Sequence, residues 1–156
     1  MPFSIRRARP EDAGEIARIY LQTSRLHYEK RPDVFREPSF ERTLKYVSDN
    51  IGKQNPLVFK AEEQNKIRGY LVLYIDRYPP EFFVQPNSGF IGSIGVDEKE
   101  RGRGTGTALI KAAEKYLKEQ GIGLLQIDFY TFNTDAERLY ERLGYEDCKH
   151  LRQKYL

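Results

Sequence analysis

A glycine-rich stretch between a β-branched run and a helix start constrains this chain more than any other feature. Phe90-Ile91-Gly92-Ser93-Ile94-Gly95-Val96 reads as a strand, and Asp97-Glu98-Lys99-Glu100 makes a charged turn. Arg101-Gly102-Arg103-Gly104-Thr105-Gly106 then leads into Thr107-Ala108-Leu109-Ile110. That order gathers main-chain N–H groups at a helix N-terminus, where unsatisfied donors and the helix dipole both favour an anion. Glycine lets the chain turn sharply and approach a ligand closely. Arg101 and Arg103 add positive charge, so the expected ligand carries phosphate.

The glycine register separates the phosphate binders. A dinucleotide fingerprint fails, because Leu109 stands where the third glycine after Gly104 and Gly106 belongs; Asp128, at the distance of a ribose-binding acid, is weak support alone. No Gly-Lys-Ser/Thr tripeptide makes a P-loop. Arg-x-x-Gly-x-Gly does fit, as Arg101, Gly104 and Gly106. Taken alone, it also reads as a solvated turn whose glycines start a helix. A second segment, Asn133 to Tyr145, has the form Asn-x-x-Ala-x-x-Leu-Tyr-x-x-x-Gly-Tyr through Asn133, Ala136, Leu139, Tyr140, Gly144 and Tyr145. Two such motifs in this order resemble the acetyl-CoA signature of the GNAT N-acetyltransferase superfamily. The resemblance is firmest from residue 88 to residue 145.

Composition narrows the class. A chain of 156 residues suits a single domain, residues 1–156. The net charge is +3 with both signs interspersed, which argues against a nucleic-acid partner. The single cysteine, Cys148, excludes an intramolecular disulfide framework and suggests a reducing compartment. Two histidines and one cysteine give no metal-ligand pattern, so no metal is expected. The first turns of the chain are charged rather than signal-like, and no apolar run reaches the ~20 residues of a membrane span. A cytoplasmic protein is the expectation.

Periodicity predicts a strand over 3–8, a helix opened by Pro10-Glu11-Asp12, and a loop or broken helix over 27–38. A second helix around Phe40, Leu44 and Val47 ends near Gly52. Strands follow over 56–61, 67–74 and 89–96, the last two joined by a Pro- and aromatic-rich loop. After the glycine loop come a helix with a stripe of Ala108, Leu109, Ala112, Ala113, Tyr116 and Leu117, a strand over 122–130, the Asn133 helix, and one or two strands over 145–156. The order β-α-α-β-β-β-α-β-α-β implies an α+β fold. The resemblance implies the same: a mixed, mostly antiparallel twisted sheet flanked by helices.

The resemblance also implies roles. Acetyl-CoA is the co-substrate, and an amine receives the acetyl group directly, without a covalent enzyme intermediate. The main chain over Arg101, Gly102, Arg103, Gly104, Thr105 and Gly106 cradles the pyrophosphate, with the Thr105 hydroxyl as an extra donor. Ile94, Gly95 and Val96 present main chain to the pantetheine arm, the Val96 N–H facing the thioester oxygen. Tyr140 shares a helix face with Ala136, Leu139 and Leu143, which alone says core; the motif instead makes it the acid that protonates the departing thiolate, a phenol of pKa ~10. Asn133 meets the pantetheine or caps its helix, Thr134 being the other cap. Asp128 is the candidate base, through a bridging water; a solvated Asp128 is equally consistent, and Glu29 and His27 are further candidates. The acceptor amine is expected between the 27–38 segment and the 78–88 loop, with Tyr28, Phe35, Tyr78, Phe82 and Phe83 as walls and Arg31 for an acidic group. Packing of the loops or a homodimer contact is the other use of these aromatics. Two other functions compete: a non-catalytic acyl-CoA sensor on the same fold, and an NAD binder that the glycine register disfavours.

Overall fold

The computed structural model describes residues 3–156. Its elements are β1 (Ser4–Arg7), α1 (Ala13–Lys30), α2 (Phe40–Asn50), β2 (Leu57–Glu63), β3 (Lys66–Arg77), β4 (Asn87–Val96), α3 (Thr105–Glu119), β5 (Leu125–Ile127) and α4 (Thr134–Arg142). The five strands form one sheet in chain order, antiparallel except for the parallel β4–β5 pair. The α+β, mostly antiparallel class expected from the sequence is the one observed.

Alternation along the central strands sends apolar side chains to both faces, so each face needs a helical cover. Val58, Tyr70 and Val72 face a core closed by Ile16, Ala17 and Ile19 of α1 and Val47 of α2. Leu57, Phe59, Leu71 and Leu73 face the other, closed by Leu109, Ile110, Ala113 and Leu117 of α3 and Tyr140 of α4. A buried Lys60 on β2 is neutralised by Asp12 at 2.9 Å and Glu62 at 2.8 Å.

Three expectations need correcting. α1 continues through His27 to Lys30 and stops at Arg31, whose φ of −138° is non-helical. The following Pro32 enforces this, since a proline disfavours the α region in the residue before it. The strand expected over 122–130 shrinks to Leu125–Ile127. Residues 145–156 form no strand. From Glu146 onward every residue is exposed, and the run Glu146-Asp147-Cys148-Lys149-His150 lacks the apolar alternation that would bury a strand face.

Candidate active site

β4 has two unlike edges. Along β3 it stays paired from Asn87–Arg77 to Val96–Gly69. Along β5 pairing covers only Gly89–Leu125, Phe90–Gln126 and Ile91–Ile127. The break follows from a bulge: Leu73 faces Ile91 and Val72 faces Ser93, leaving Gly92 as the extra residue. A bulge bends its strand and increases the local twist, so β4 leaves β5 just where the parallel ladder stops.

Beyond the bulge, main-chain direction can be read from one bond. Asp97 donates its N–H to the Arg68 carbonyl at 2.8 Å, toward β3. Successive residues of a strand point their N–H groups to opposite edges. The N–H and C=O groups of Val96 and Ile94 therefore point to the open edge, and those of Gly95 to β3. No side chain fits at Gly95, where a Cβ would lie 2.5 Å from the Tyr70 ring and 2.9 Å from Thr23 Oγ1. Tyr70 is fully buried, stacked on Tyr20 at 5.2 Å and bonded to Ser93 Oγ at 2.8 Å, so it cannot yield.

Asp97 terminates β4 and caps the next turn, accepting from the Lys99 N–H at 3.2 Å and from Arg18 at 2.7 Å. Burial works to raise its pKa, but the bonds from Arg18 and Lys99 outweigh this and hold the carboxyl below its ordinary value. The glycine loop then turns through Gly102 at φ +78° and Gly104 at φ +84°, both beside open space. Gly104 is the N-cap of α3, without a side-chain cap and with no acidic residue in the first turn. Among the described residues, no hydrogen bond engages the main-chain N–H groups from Gly102 to Thr107; Ala108 is the first to donate, to the Gly104 carbonyl at 3.0 Å. These donors and the helix dipole suit a pyrophosphate.

The loop's side chains divide. Arg103 is held by Glu63 at 3.1 Å and by Glu100, with its guanidinium over the Phe3 ring. Arg101 is exposed and forms no ion pair among the described residues. The Thr105 hydroxyl is buried and without a partner, so what this residue presents outward is its N–H.

α4 is capped at both ends by residues of the second motif. The Asn133 side chain accepts from the Ala136 N–H at 3.2 Å, so Asn133 rather than Thr134 is the N-cap. At the other end Gly144, at φ +86°, donates to the Glu141 carbonyl and Tyr145 to the Tyr140 carbonyl, each at 3.0 Å. This is a Schellman closure, which needs the left-handed residue and folds the next one back on the helix. The rings of Tyr145 and Tyr140 meet at 5.9 Å, and the Tyr145 hydroxyl bonds Glu114 of α3 at 3.0 Å. Tyr140 is thereby fixed in the core at 6% exposure. Burial first, and the nearby Asp128 carboxylate second, push its pKa up to about 12.

A cleft of about 420 Å³ opens between the separated strands. It brings together Ile94, Asp128, Asn133 and Tyr140 from the sequence-derived candidates; Gly95, Val96 and the 101–106 loop lie outside its lining. Its other wall went unread in the sequence: Tyr20, Thr23 and Ser24 of α1, Ser39 before α2, and Arg42 on it. Helical spacing of Tyr20, Thr23, Ser24 and His27 was the available signal. His27 packs against Phe35, Tyr130 and Phe132 at 5.2–5.8 Å, and its Nδ1 lies 2.8 Å from the Thr23 carbonyl. A carbonyl only accepts, so Nδ1 is the donor, and in the neutral ring the lone pair is then on Nε2.

Three expected contributors lie elsewhere. The 78–86 loop closes the far end of the β3–β4 hairpin, with Tyr78 N–H on the Pro86 carbonyl at 2.7 Å, and does not line the cleft. Arg31 is held by Asp33 through two bonds of 2.9 Å and covers the Tyr130 ring, leaving it unavailable for a substrate acid. Glu29 is exposed and outside the cleft lining. Among the described residues no cluster of His, Cys, Asp and Glu could hold a metal, and no helix is long and apolar enough to cross a membrane.

Comparison with known proteins agrees with this geometry. The profile of the Acetyltransferase (GNAT) family matches residues 13–145. The mycothiol acetyltransferase of Rhodococcus erythropolis is 36% identical over 88% of this chain, which spans 44% of that protein's length. The N-alpha-acetyltransferase of Sulfurisphaera tokodaii is 28% identical over 70% of this chain and 68% of its own length. The crystal structure of a tetramutant of the BH1408 protein from Bacillus halodurans superposes with a TM-score of 0.88, at 29% identity and covering 98% of this chain and 99% of its own. With both motifs, the sheet and the matched profile in agreement, the chain belongs to the GNAT family of acetyltransferases.

Proposed function

We propose that this chain transfers the acetyl group of acetyl-CoA to a primary amine. The observation that carries the reading is the cleft at the open edge of β4, where Ile94 main chain, the buried Tyr140 and Asp128 border one space. Acetyl-CoA, when bound, supplies an activated acyl thioester. The residues present fit it: the unengaged N–H groups from Gly102 to Thr107 suit its pyrophosphate, with Arg101 adding charge and Arg103 acting mainly to hold the loop. The outward main chain of Ile94 and Val96 offers bonds to the amide-bearing arm, and Gly95 keeps that stretch of strand free of a side chain. Asn133, whose oxygen is engaged by its helix, keeps its amide N–H₂ as a donor.

The chemistry asks three things of the chain. The Val96 N–H stabilises negative charge developing on the acyl oxygen. Asp128 accepts the proton of the amine, directly or through one water. Tyr140, holding its proton through the neutral range, donates a hydrogen bond to the departing sulfur. The last two are linked, because the Asp128 charge contributes to the rise in the Tyr140 pKa. Proton uptake by Asp128 removes that charge and makes Tyr140 the stronger donor as the sulfur leaves. His27 is the second candidate for the base, since it lines the cleft and its Nδ1 is taken up by the Thr23 carbonyl, leaving Nε2 as the atom for a substrate proton.

A cytoplasmic setting and a homodimer belong to the same reading. The only cysteine is free and exposed, and Phe82 and Val84, at 84% and 97% exposure, offer an apolar contact. Amine-dependent release of CoA thiol from acetyl-CoA, with Tyr140→Phe as comparison, tests the transfer. Release that falls by about 100-fold or more in the variant is the expected result. Tight acetyl-CoA binding with no release across a broad amine panel would replace the enzyme by an acyl-CoA sensor.

A further inference from the structure

Arginines around the cleft sort into engaged and free. Arg18 is bound to Asp97 at 2.7 Å, Arg31 to Asp33 at 2.9 Å, and Arg103 to Glu63 and Glu100. Arg36 and Arg42 border the cleft and form no ion pair among the described residues. Arg42 stands on the first turn of α2, its N–H 3.4 Å from Ser39 Oγ. One of its guanidinium nitrogens donates to the Glu37 carbonyl, which steers the group across the loop and leaves its other N–H donors open. The helix dipole is also positive at this turn.

The two arginines stand at a junction. A second, shallower depression of about 740 Å³ shares Phe35, Arg36, Glu37, Pro38, Ser39 and Arg42 with the cleft and runs on past Pro32 and Val34. The smaller space must take the acyl-bearing arm and the amine; the larger one has room for the rest of the acceptor. Negative charge on the cleft lining comes from Asp128, beside Tyr140, and from Glu37. A polycationic acceptor would set its second charge against unneutralised guanidiniums. An acceptor with one ammonium and one anion meets a partner for each, and a guanidinium's planar fork suits a carboxylate or phosphate.

Resting on the acetyl-transfer reading above, we infer that the acceptor is a primary amine that also carries an anionic group, held by Arg36 and Arg42. The test uses matched probes with acetyl-CoA: β-alanine against β-alaninamide for a carboxylate, and O-phosphoethanolamine against ethanolamine for a phosphate. In at least one pair the anionic member is acetylated with kcat/KM about 10-fold or more above its neutral partner, as expected for a charged hydrogen bond. That preference collapses toward unity in Arg36→Gln/Arg42→Gln, falls with added salt, and persists in Lys111→Gln, a charge removed from the exposed face of α3. Equal rates in both pairs, or a preference unchanged by the double substitution, overturns the inference. Should no probe be acetylated, the acetyl-transfer reading is what fails. Titration of the same probes into CoA-saturated protein then decides: binding of an anionic amine that needs the two arginines supports the anion subsite, and none overturns it.

Discussion

The two edges of β4 are made from the same residues and do opposite work. Toward β3 the ladder runs the length of the strand, and the residues behind it, Leu71, Leu73 and Ile91, are fully or almost fully buried. Toward β5 the ladder stops at Ile91–Ile127, Ile94 borders the cleft, and the main chain of Val96 beyond it points to the same open edge. The difference turns on Gly92, an extra residue that the β3 edge absorbs as a bulge and the β5 edge does not follow. An open sheet edge is ordinarily a hazard; here it is a short interior one, walled by α1 and α4.

If the open edge serves chemistry and the closed edge stability, substitutions should separate the two. The largest effect falls on the open side. Tyr140→Phe lowers kcat by about 100- to 10,000-fold, the usual range for a lost acid catalyst. Acetyl-CoA affinity and Tm stay close to wild type, because the Tyr140 hydroxyl forms no hydrogen bond among the described residues. Steady-state kinetics beside thermal melts would show this, and a matching fall in Tm would make Tyr140 a structural residue instead.

On the closed side Leu71→Ala leaves a cavity in a fully buried position and costs about 2–5 kcal/mol of stability. Ile127→Ala, at the half-buried end of the open ladder, costs less. Urea melts of the two variants would blur the comparison if their losses were equal. The glycine loop gives the third contrast. Arg101→Ala weakens acetyl-CoA binding by about 1.5–3 kcal/mol, the worth of a charged hydrogen bond. Arg103→Ala weakens it less, because Glu63 and Glu100 already occupy that guanidinium. Calorimetric titration of both variants reads the difference directly.

The smallest effect concerns Asp97, at the point where β4 ends. Its folded-state pKa lies below the ordinary value of ~3.8, so its contribution is fully present above that pH and is lost as pH falls through the depressed value. Asp97→Asn is therefore less stable than wild type near neutrality, and the gap narrows as pH drops from about 5 toward 3. Denaturant melts across that range would contradict the account if the gap were constant.

What the sequence made legible was local chemistry. The glycine loop and the helix after it could be placed because each rests on a rule of backbone geometry, and the Asn133-to-Tyr145 segment because it resembles a family motif. Gly104 does adopt positive φ, and of the two cap candidates it is Asn133, not Thr134, that caps α4. Less legible was what depends on partners distant in the chain. The bulge at Gly92 shows only when β3 is laid beside β4. The 78–88 loop, rich in proline and aromatics, looked like substrate wall, and its residues instead close the far end of the hairpin. Arg31 looked free until Asp33 came to it, a carboxylate that also accepts from the Tyr155 hydroxyl at 2.6 Å, across 122 residues. Period-2 apolar spacing over 122–130 suggested a long strand, whereas the ladder available to it ends with the bulge.

Residue-resolved amide hydrogen exchange on β4, with and without saturating acetyl-CoA, tests the central claim most directly. The account predicts that the Ile94 and Val96 amides gain protection on binding while Gly95, already bonded toward β3, changes little. Unchanged exchange at Ile94 and Val96 in the acetyl-CoA complex would contradict it, placing the thioester somewhere other than the open edge.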